Sequence, residues 1–246
     1  MRIDIWSDIV CPFCYVGKRN LELALAEFEH RDEVEVVWHS FELDPSATEH
    51  PAGSLPELIA GKYQMSLEQA IASQESLAER AREVGLDFNW RQARYGNTFD
   101  AHRVIHYAAE QGLASAAQEA FKKAYFTEGR SVQDHESILD IASEIGLDTA
   151  EVEAVLKSDR YAVDVRADEQ LARQLGINGV PFFLIESKWA VSGAQPAKML
   201  VQALRQVWEE THRVEFLNPL AGAAGDAAGN NAAEAGPSCD VNGNCS

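Results

Sequence analysis

The chain has 246 residues, 46% hydrophobic and 24% charged, an ordinary globular composition with enough length to build a core without covalent staples. Its 39 acids against 21 bases leave a formal charge of −18, which repels nucleic acid and anionic membranes, so neither is expected as a partner. No run approaches the roughly 20 apolar residues of a membrane span, and the early acids Asp4 and Asp8 with Pro12 argue against a secretory leader. A cytoplasmic setting is expected, where structural disulfides are uncommon.

In chain order, Ile3 and Ile5 alternate with polar neighbours and read as a strand running through Ile9-Val10 into a turn. Pro12 to about Glu29 reads as a helix, with Val16, Leu21, Leu23, Leu25 and Phe28 on its buried face and Lys18 and Arg19 on a solvated one. Val34 to Phe41 alternates as a half-buried strand that Asp44-Pro45 ends, and residues 45–54 have loop composition. From Leu55 to about Arg160 the signals are helical. Ser66 with Gln69 forms a capping box for a helix to Val84 that Gly85 closes; Asn97 opens another to Gly112; a third covers Ser115 to Phe126. Asp134 to Ile145 is a fourth, and Asp148 with Glu151 caps a fifth.

Arg160 to Leu175 is again helical, closed by Gly176, and Asn178-Gly179-Val180-Pro181 turns into the apolar strand Phe182–Ile185. Lys188 to Val191 is its hairpin partner. A last helix runs from Pro196 to Glu210, with Met199, Leu200, Ala203, Leu204 and Val207 on one face. Residues 219–238 hold eight Ala, four Gly and two Pro, which is linker composition.

The four cysteines, at 11, 14, 239 and 245, form two close pairs at opposite ends of the chain. Such spacing suits redox chemistry or metal binding before stapling. Cys11-Pro12-Phe13-Cys14 follows a strand and opens a helix. Pro12 suits the first helical position, which leaves Cys11 at the N-cap, its sulfur toward the free N–H groups and the positive end of the helix dipole. Both favour thiolate, the nucleophilic form, so Cys11 is expected to attack and Cys14, one turn on, to resolve the mixed disulfide. Phe13 carries no positive charge, so a less oxidising pair than one with His there is expected. Gly179-Val180-Pro181 has two readings: an ordinary trans proline at a strand start, or a cis Val180–Pro181 bond packed against the dithiol, with the Val180 backbone offered to an extended peptide. In the second, Pro181 also sets a non-ligating residue beside the thiols and discourages metal capture. No metal or cofactor is expected.

The order of SDIVCPFCYVGKRNLE, WHSFELDP, NTFDAHRVIHYA and GVPFFLIESKWAVSGAQP resembles the DsbA family, most closely its cytoplasmic FrnE-like branch, over about residues 1–212. The resemblance implies an α/β thioredoxin-like fold with a large all-helical insertion. The thioredoxin-like domain would be discontinuous, 1–54 and 160–216, around an insertion at 55–159, with 217–246 as a C-terminal extension outside the family pattern. It also implies Cys11 as nucleophile, Cys14 as resolver and Pro181 as a cis proline. Asn97 to Arg103 is similar in a neighbouring branch of glutathione-linked isomerases and transferases. That segment either lines the cleft opposite the dithiol, making Asn97 and His102 substrate-binding with Val180, or is a helix start capped by Asn97. His39 departs from the pattern and reads as a satisfied structural histidine.

Three functions follow. The first is an oxidoreductase or isomerase of protein disulfides, with peptide disulfides as substrates and glutathione or a thioredoxin-type protein as redox partner. The second is a glutathione-linked isomerase or transferase, against which Cys11 stands where that branch places Ser. The third is a metal-binding protein using all four thiols. Cys239 and Cys245, joined to the body by a linker of roughly 25 Å r.m.s. span, are read as a disulfide clamp, a metal site or a second redox pair relaying electrons to the first.

Overall fold

The central strand β1 (Arg2–Ser7) pairs in parallel with β2 (Glu35–Ser40), Ile3 opposite Val36 and Ile5 opposite Trp38. This parallel pairing needs the crossover that α1 (Pro12–Glu27) supplies. On its other side β1 meets β3 (Phe182–Ile185) antiparallel, and β3 turns into β4 (Trp189–Ser192), so the sheet order is β2-β1-β3-β4. The computed structural model describes residues 1–48 and 52–213. Met1–Trp208 forms one unit; of the second, which begins at Glu209, only 209–213 are described.

The period-2 alternation of the strands gives the sheet two apolar faces. Ile3, Ile5, Phe183 and Ile185 pack against Leu21, Ala24 and Phe28 of α1 and its C-cap. The same cluster takes Leu200, Val201, Leu204 and Val207 from α9 (Ala197–Thr211). On the opposite face Trp6, Phe182 and Leu184 meet Ala172 and Ile177, from α8 (Ala162–Gln174) and its exit. Two expectations fail here: Leu23 and Met199 are exposed, because the helices offer the sheet a stripe narrower than their apolar residues.

Among the described residues six helices lie between β2 and α8: α2 (Leu55–Tyr63), α3 (Leu67–Glu83), α4 (Phe99–Glu110), α5 (Ala114–Phe126), α6 (His135–Glu144) and α7 (Thr149–Leu156). Ser66 and Gln69 form the expected capping box of α3, and Ser54 with Glu57 does the same for α2. Asp148 caps α7 by accepting from the Ala150 and Glu151 N–H groups. These helices share a core around Phe121, Tyr125, Val104 and Ile141, which also takes in Ile9, Val10 and Tyr15 from the segment around the dithiol.

Polar side chains tie α8 to β2. Asp168 accepts from the Ser40 N–H at 2.8 Å and faces His39 Nδ1 at 2.7 Å and His106 Nε2 at 3.1 Å. His39 Nε2 lies 2.8 Å from Asp4, and Trp6 stacks on its ring at 4.4 Å, so both ring nitrogens are satisfied, the structural role read from the sequence. Burial opposes the charge of Asp168, but His106, His39 and the Ser40 N–H outweigh it and hold the carboxyl down to about 2. Burial likewise opposes charge on His39, while Asp168 and Asp4 raise it above the usual histidine range. A depressed carboxyl contributes stability that is present above its unfolded pKa and lost as pH falls toward about 2; a raised histidine contributes below its unfolded pKa and loses it as pH rises through the folded value. Asp168→Asn should therefore cost roughly 2 kcal/mol at neutral pH, and its urea midpoint should lack the additional wild-type decline below about pH 4. Parallel pH profiles for the two proteins would exclude this.

Candidate active site

Cys11 occupies the N-cap of α1 with extended backbone angles (φ −85°, ψ 113°), Pro12 follows in the first turn, and Phe13 is 41% exposed. The Cys11 carbonyl accepts from the N–H groups of Cys14 and Tyr15 at 3.1 and 3.3 Å, which starts the helix. The position agrees with the sequence reading but the sulfur's partner does not. Cys11 Sγ makes no capping hydrogen bond; it turns across the cleft and lies 3.6 Å from the Val180 carbonyl. Both thiols are reduced and buried.

The Val180–Pro181 peptide is cis. Its loop is fastened by the Gly193 N–H, which donates to the Pro181 carbonyl at 2.8 Å, and the segment after β4 that supplies this donor is tied to α1 by Asn20 Nδ2, which donates to the Gln195 carbonyl at 2.9 Å. Gly17 of α1 leaves room for it. A Cβ there would come within 2.8 Å of Pro181 Cγ and 3.4 Å of Phe183 Cζ. Gly17→Ala should force the proline ring off the helix, cost about 1–3 kcal/mol by overpacking and slow thiol exchange. Unchanged urea midpoint and exchange rate would show that the two elements part freely.

Electrostatically the sulfurs behave as one coupled pair. Burial opposes ionisation of Cys14, but the hydrogen bond from Cys11, the charge of Lys122, the Asp8 N–H and the Ser7 hydroxyl bring it below the usual thiol range. Cys11 is raised well above that range, first by its hydrogen bond to Cys14 and then by burial. In this geometry Cys14 is therefore the more acidic of the two sulfurs, and the proton they share is held toward Cys11.

Two buried charges were not found from the sequence. Asp8, which is 1% exposed, accepts from the Ile9 N–H at 2.7 Å, the Leu43 N–H at 2.8 Å, the Thr98 hydroxyl at 3.0 Å and His102 Nε2 at 3.3 Å. Burial pushes its carboxyl up, and His102, Leu43 and Thr98 bring it below the usual range. Lys122 of α5 is wholly buried with its charge acting on both sulfurs. Its helical spacing from Tyr125 and Phe126 sets it on an apolar face of α5, a signal for its position that the sequence did carry.

A family profile described as the DSBA-like thioredoxin domain matches residues 2–205. The chain belongs to the DsbA-like thioredoxin family. A probable DsbA oxidoreductase from Streptomyces coelicolor is 42% identical, with 100% of this chain and 98% of that one covered at a TM-score of 0.83. The uncharacterized protein YwbO of Bacillus subtilis is 29% identical over 187 residues, 75% of this chain and 86% of that protein. The cytosolic disulfide reductase DsbM from Pseudomonas aeruginosa, solved with GSH, shares the fold at 19% identity and a TM-score of 0.59, with 87% of this chain and 100% of that one covered. The α/β thioredoxin-like fold read from the sequence is therefore the fold of the DsbA-like chain, whose family consists of thiol–disulfide oxidoreductases.

Within this DsbA-like site several sequence readings change. His102 is wholly buried and serves Asp8, so it cannot touch a substrate. Asn97 is not the helix cap. Thr98 takes that position, and the Asn97 side-chain oxygen accepts from the Phe99 N–H at 2.8 Å. Asn97 also lines an open cavity of about 760 Å³ with Thr48, Phe99, Asp100, Gln133 and His135. Lys18 is not solvated; it is buried and bonded at 2.5 Å to both Glu22 and Glu119, fastening α1 to α5, with Arg19 beside it on Glu119 at 3.1 Å. Cys239 and Cys245 lie outside the described residues.

Proposed function

We propose that the chain reduces or isomerises disulfides of extended, partly unfolded proteins through Cys11 and Cys14. The observation that carries this reading is the Cys11 sulfur 3.6 Å from the Val180 carbonyl, at a loop whose backbone can pair with an incoming strand. As Cys11 attacks, the proton shared by the sulfurs passes to Cys14. A Cys11–substrate disulfide forms and the substrate's other sulfur leaves as thiolate. Cys14 gives its proton to that leaving thiolate and attacks Cys11; the mixed disulfide breaks, the second substrate sulfur leaves as thiolate, and the reduced substrate departs from a Cys11–Cys14 disulfide. In isomerisation a second substrate thiolate instead attacks the substrate sulfur of the mixed disulfide, which forms the new substrate disulfide and releases Cys11 as thiolate.

A small thiol such as glutathione, or a thioredoxin-type protein, would return the pair to the dithiol; the DsbM structure with GSH, of the same fold, supports the first. Asn97 at the open cavity is proposed to contact substrate outside the dithiol cleft. A cytoplasmic setting suits the reductant, and among the described residues no helix is long and apolar enough to cross a membrane. Cys239 and Cys245 are proposed as a second pair that exchanges with the first. The four-thiol metal reading would need the same two residues, and the glutathione-linked transferase reading has no observation in its favour beyond the shared fold. Insulin reduction with glutathione as electron source tests the proposal; a rate no faster than glutathione alone would overturn it.

A further inference from the structure

Lys122 stands where an ammonium is costly. It is 0% exposed, its Nζ donates to the neutral amide of Gln118, and it packs 5.9 Å from the centre of the Trp38 ring. A buried ammonium persists only if other charges offset several kcal/mol of lost hydration. Helix α5 sits against the dithiol segment, with Tyr15 donating to Glu119 at 2.7 Å and Ile9 and Val10 sharing a core with Phe121, and there the Cys14 sulfur acts on Lys122 most strongly, then Asp8 before α1, then, when ionised, Cys11. Lys18 of α1, itself tied to Glu22 and Glu119, opposes them. Burial has the largest effect and brings Lys122 down to about 8 in the reduced protein. The strongest of these groups, the Cys14 sulfur, can carry charge only in the dithiol, so the largest part of what offsets this buried cation vanishes on oxidation while Asp8 remains. The coupling is reciprocal, because a cation that the thiolate stabilises must stabilise the thiolate equally.

We propose that Lys122 is a redox-linked proton group, protonated when the Cys11–Cys14 pair is reduced and giving up that proton when the pair closes to a disulfide, so that a residue of the helical insertion sets the reduction potential. The inference rests on the pair cycling between dithiol and disulfide and not on which substrate it serves. The step balances. An external dithiol loses two electrons and two protons and becomes a disulfide; the Cys11–Cys14 bond takes the electrons and breaks; one proton goes to Cys11, the other to Lys122 Nζ, and Cys14 is left as thiolate. Lys122 touches no substrate, so its role is to position charge.

The full chain with 13C-labelled lysine, reduced and then oxidised, provides the first test. The Lys122 titration midpoint should be lower in the oxidised protein by about one pH unit, a tenfold change; equal midpoints in the two states would overturn the proposal. Lys122→Met provides the second. Its thiolate absorbance at 240 nm should titrate about one unit higher, and its equilibrium with glutathione should move about tenfold toward the disulfide, near 30 mV lower in potential. The exposed neighbour variant Lys123→Met should change neither. Unchanged thiolate titration and potential in Lys122→Met would also overturn the proposal. Should Lys122→Met fail to fold, the comparison of the two redox states of the wild-type protein decides alone. Both readouts hold even for a protein inactive toward insulin, so failure of the proposed function and failure of this inference are distinguishable.

Discussion

Cys11→Ser is expected to abolish insulin reduction, a loss of roughly a thousandfold or more, the scale on which removing a covalent nucleophile acts. A serine hydroxyl does not ionise near neutral pH, so the mixed disulfide never forms. The same change should leave stability nearly intact, because Cys11 holds the N-cap of α1 and serine is a good cap. This separates chemistry from folding: a variant with wild-type urea midpoint and no activity identifies Cys11 as the attacking atom. Cys14→Ser should behave differently. Cys11 can still attack, but nothing resolves the product, so a covalent adduct with a disulfide peptide should accumulate and be seen by mass. Cys11→Ser with retained activity, or Cys14→Ser without adduct, would require another sulfur to carry the reaction.

Asp8→Ala should be the most damaging single change to stability among residues around the site, at about 3–5 kcal/mol, a large share of the 5–15 kcal/mol by which domains are usually stable. Its carboxylate gathers donors from four places in the chain: the Ile9 N–H, the Leu43 N–H after β2, the Thr98 hydroxyl and the ring of His102 on α4. Removing it strands all four in a dry interior. Asp8→Asn keeps an acceptor and should cost less. Because its carboxyl lies below the usual range, the stability it contributes is present above the unfolded carboxylate pKa and is lost as pH falls through the folded value. Its negative charge also opposes ionisation of Cys11, so Asp8→Asn should ease loss of the second thiol proton. A urea midpoint for Asp8→Ala within the error of wild type would mean that the cluster does not bear on folding.

Local pattern carried much of this architecture. The Cys11–Cys14 spacing with Pro12 between places both sulfurs at the start of α1, and short-range sterics are enough to do so. The box at Ser66 and Gln69, the cap at Asp148 and the positive-φ glycines Gly85, Gly146 and Gly176 are readable because partner and turn lie within a few residues. Asn97 was misread by one position for the same reason: Asn97 and Thr98 are both good cap residues, and only the path of the preceding loop chooses between them. Lys18 was misread because a lysine one turn from a motif is normally solvated. Nothing in its neighbourhood announces that Glu119, 101 residues away, arrives to pair with it.

The sequence by itself therefore determined the dithiol: two sulfurs on one helical turn, opened by a proline, after a strand. Tertiary structure decided the environment in which those sulfurs ionise. Lys122 from α5 and the Val180 carbonyl from the loop before β3 reach the pair from more than 100 residues further along the chain, and Asp8, a near neighbour in sequence, is held in place by His102 of α4. Spacing along a chain places atoms joined by a few bonds, whereas the free energy of a buried charge depends on every group within about 10 Å of it, however far away in the sequence. For that reason Cys11 and Cys14 were legible before the fold, while the sharing of their proton, the burial of His102 and the charge of Lys122 were not.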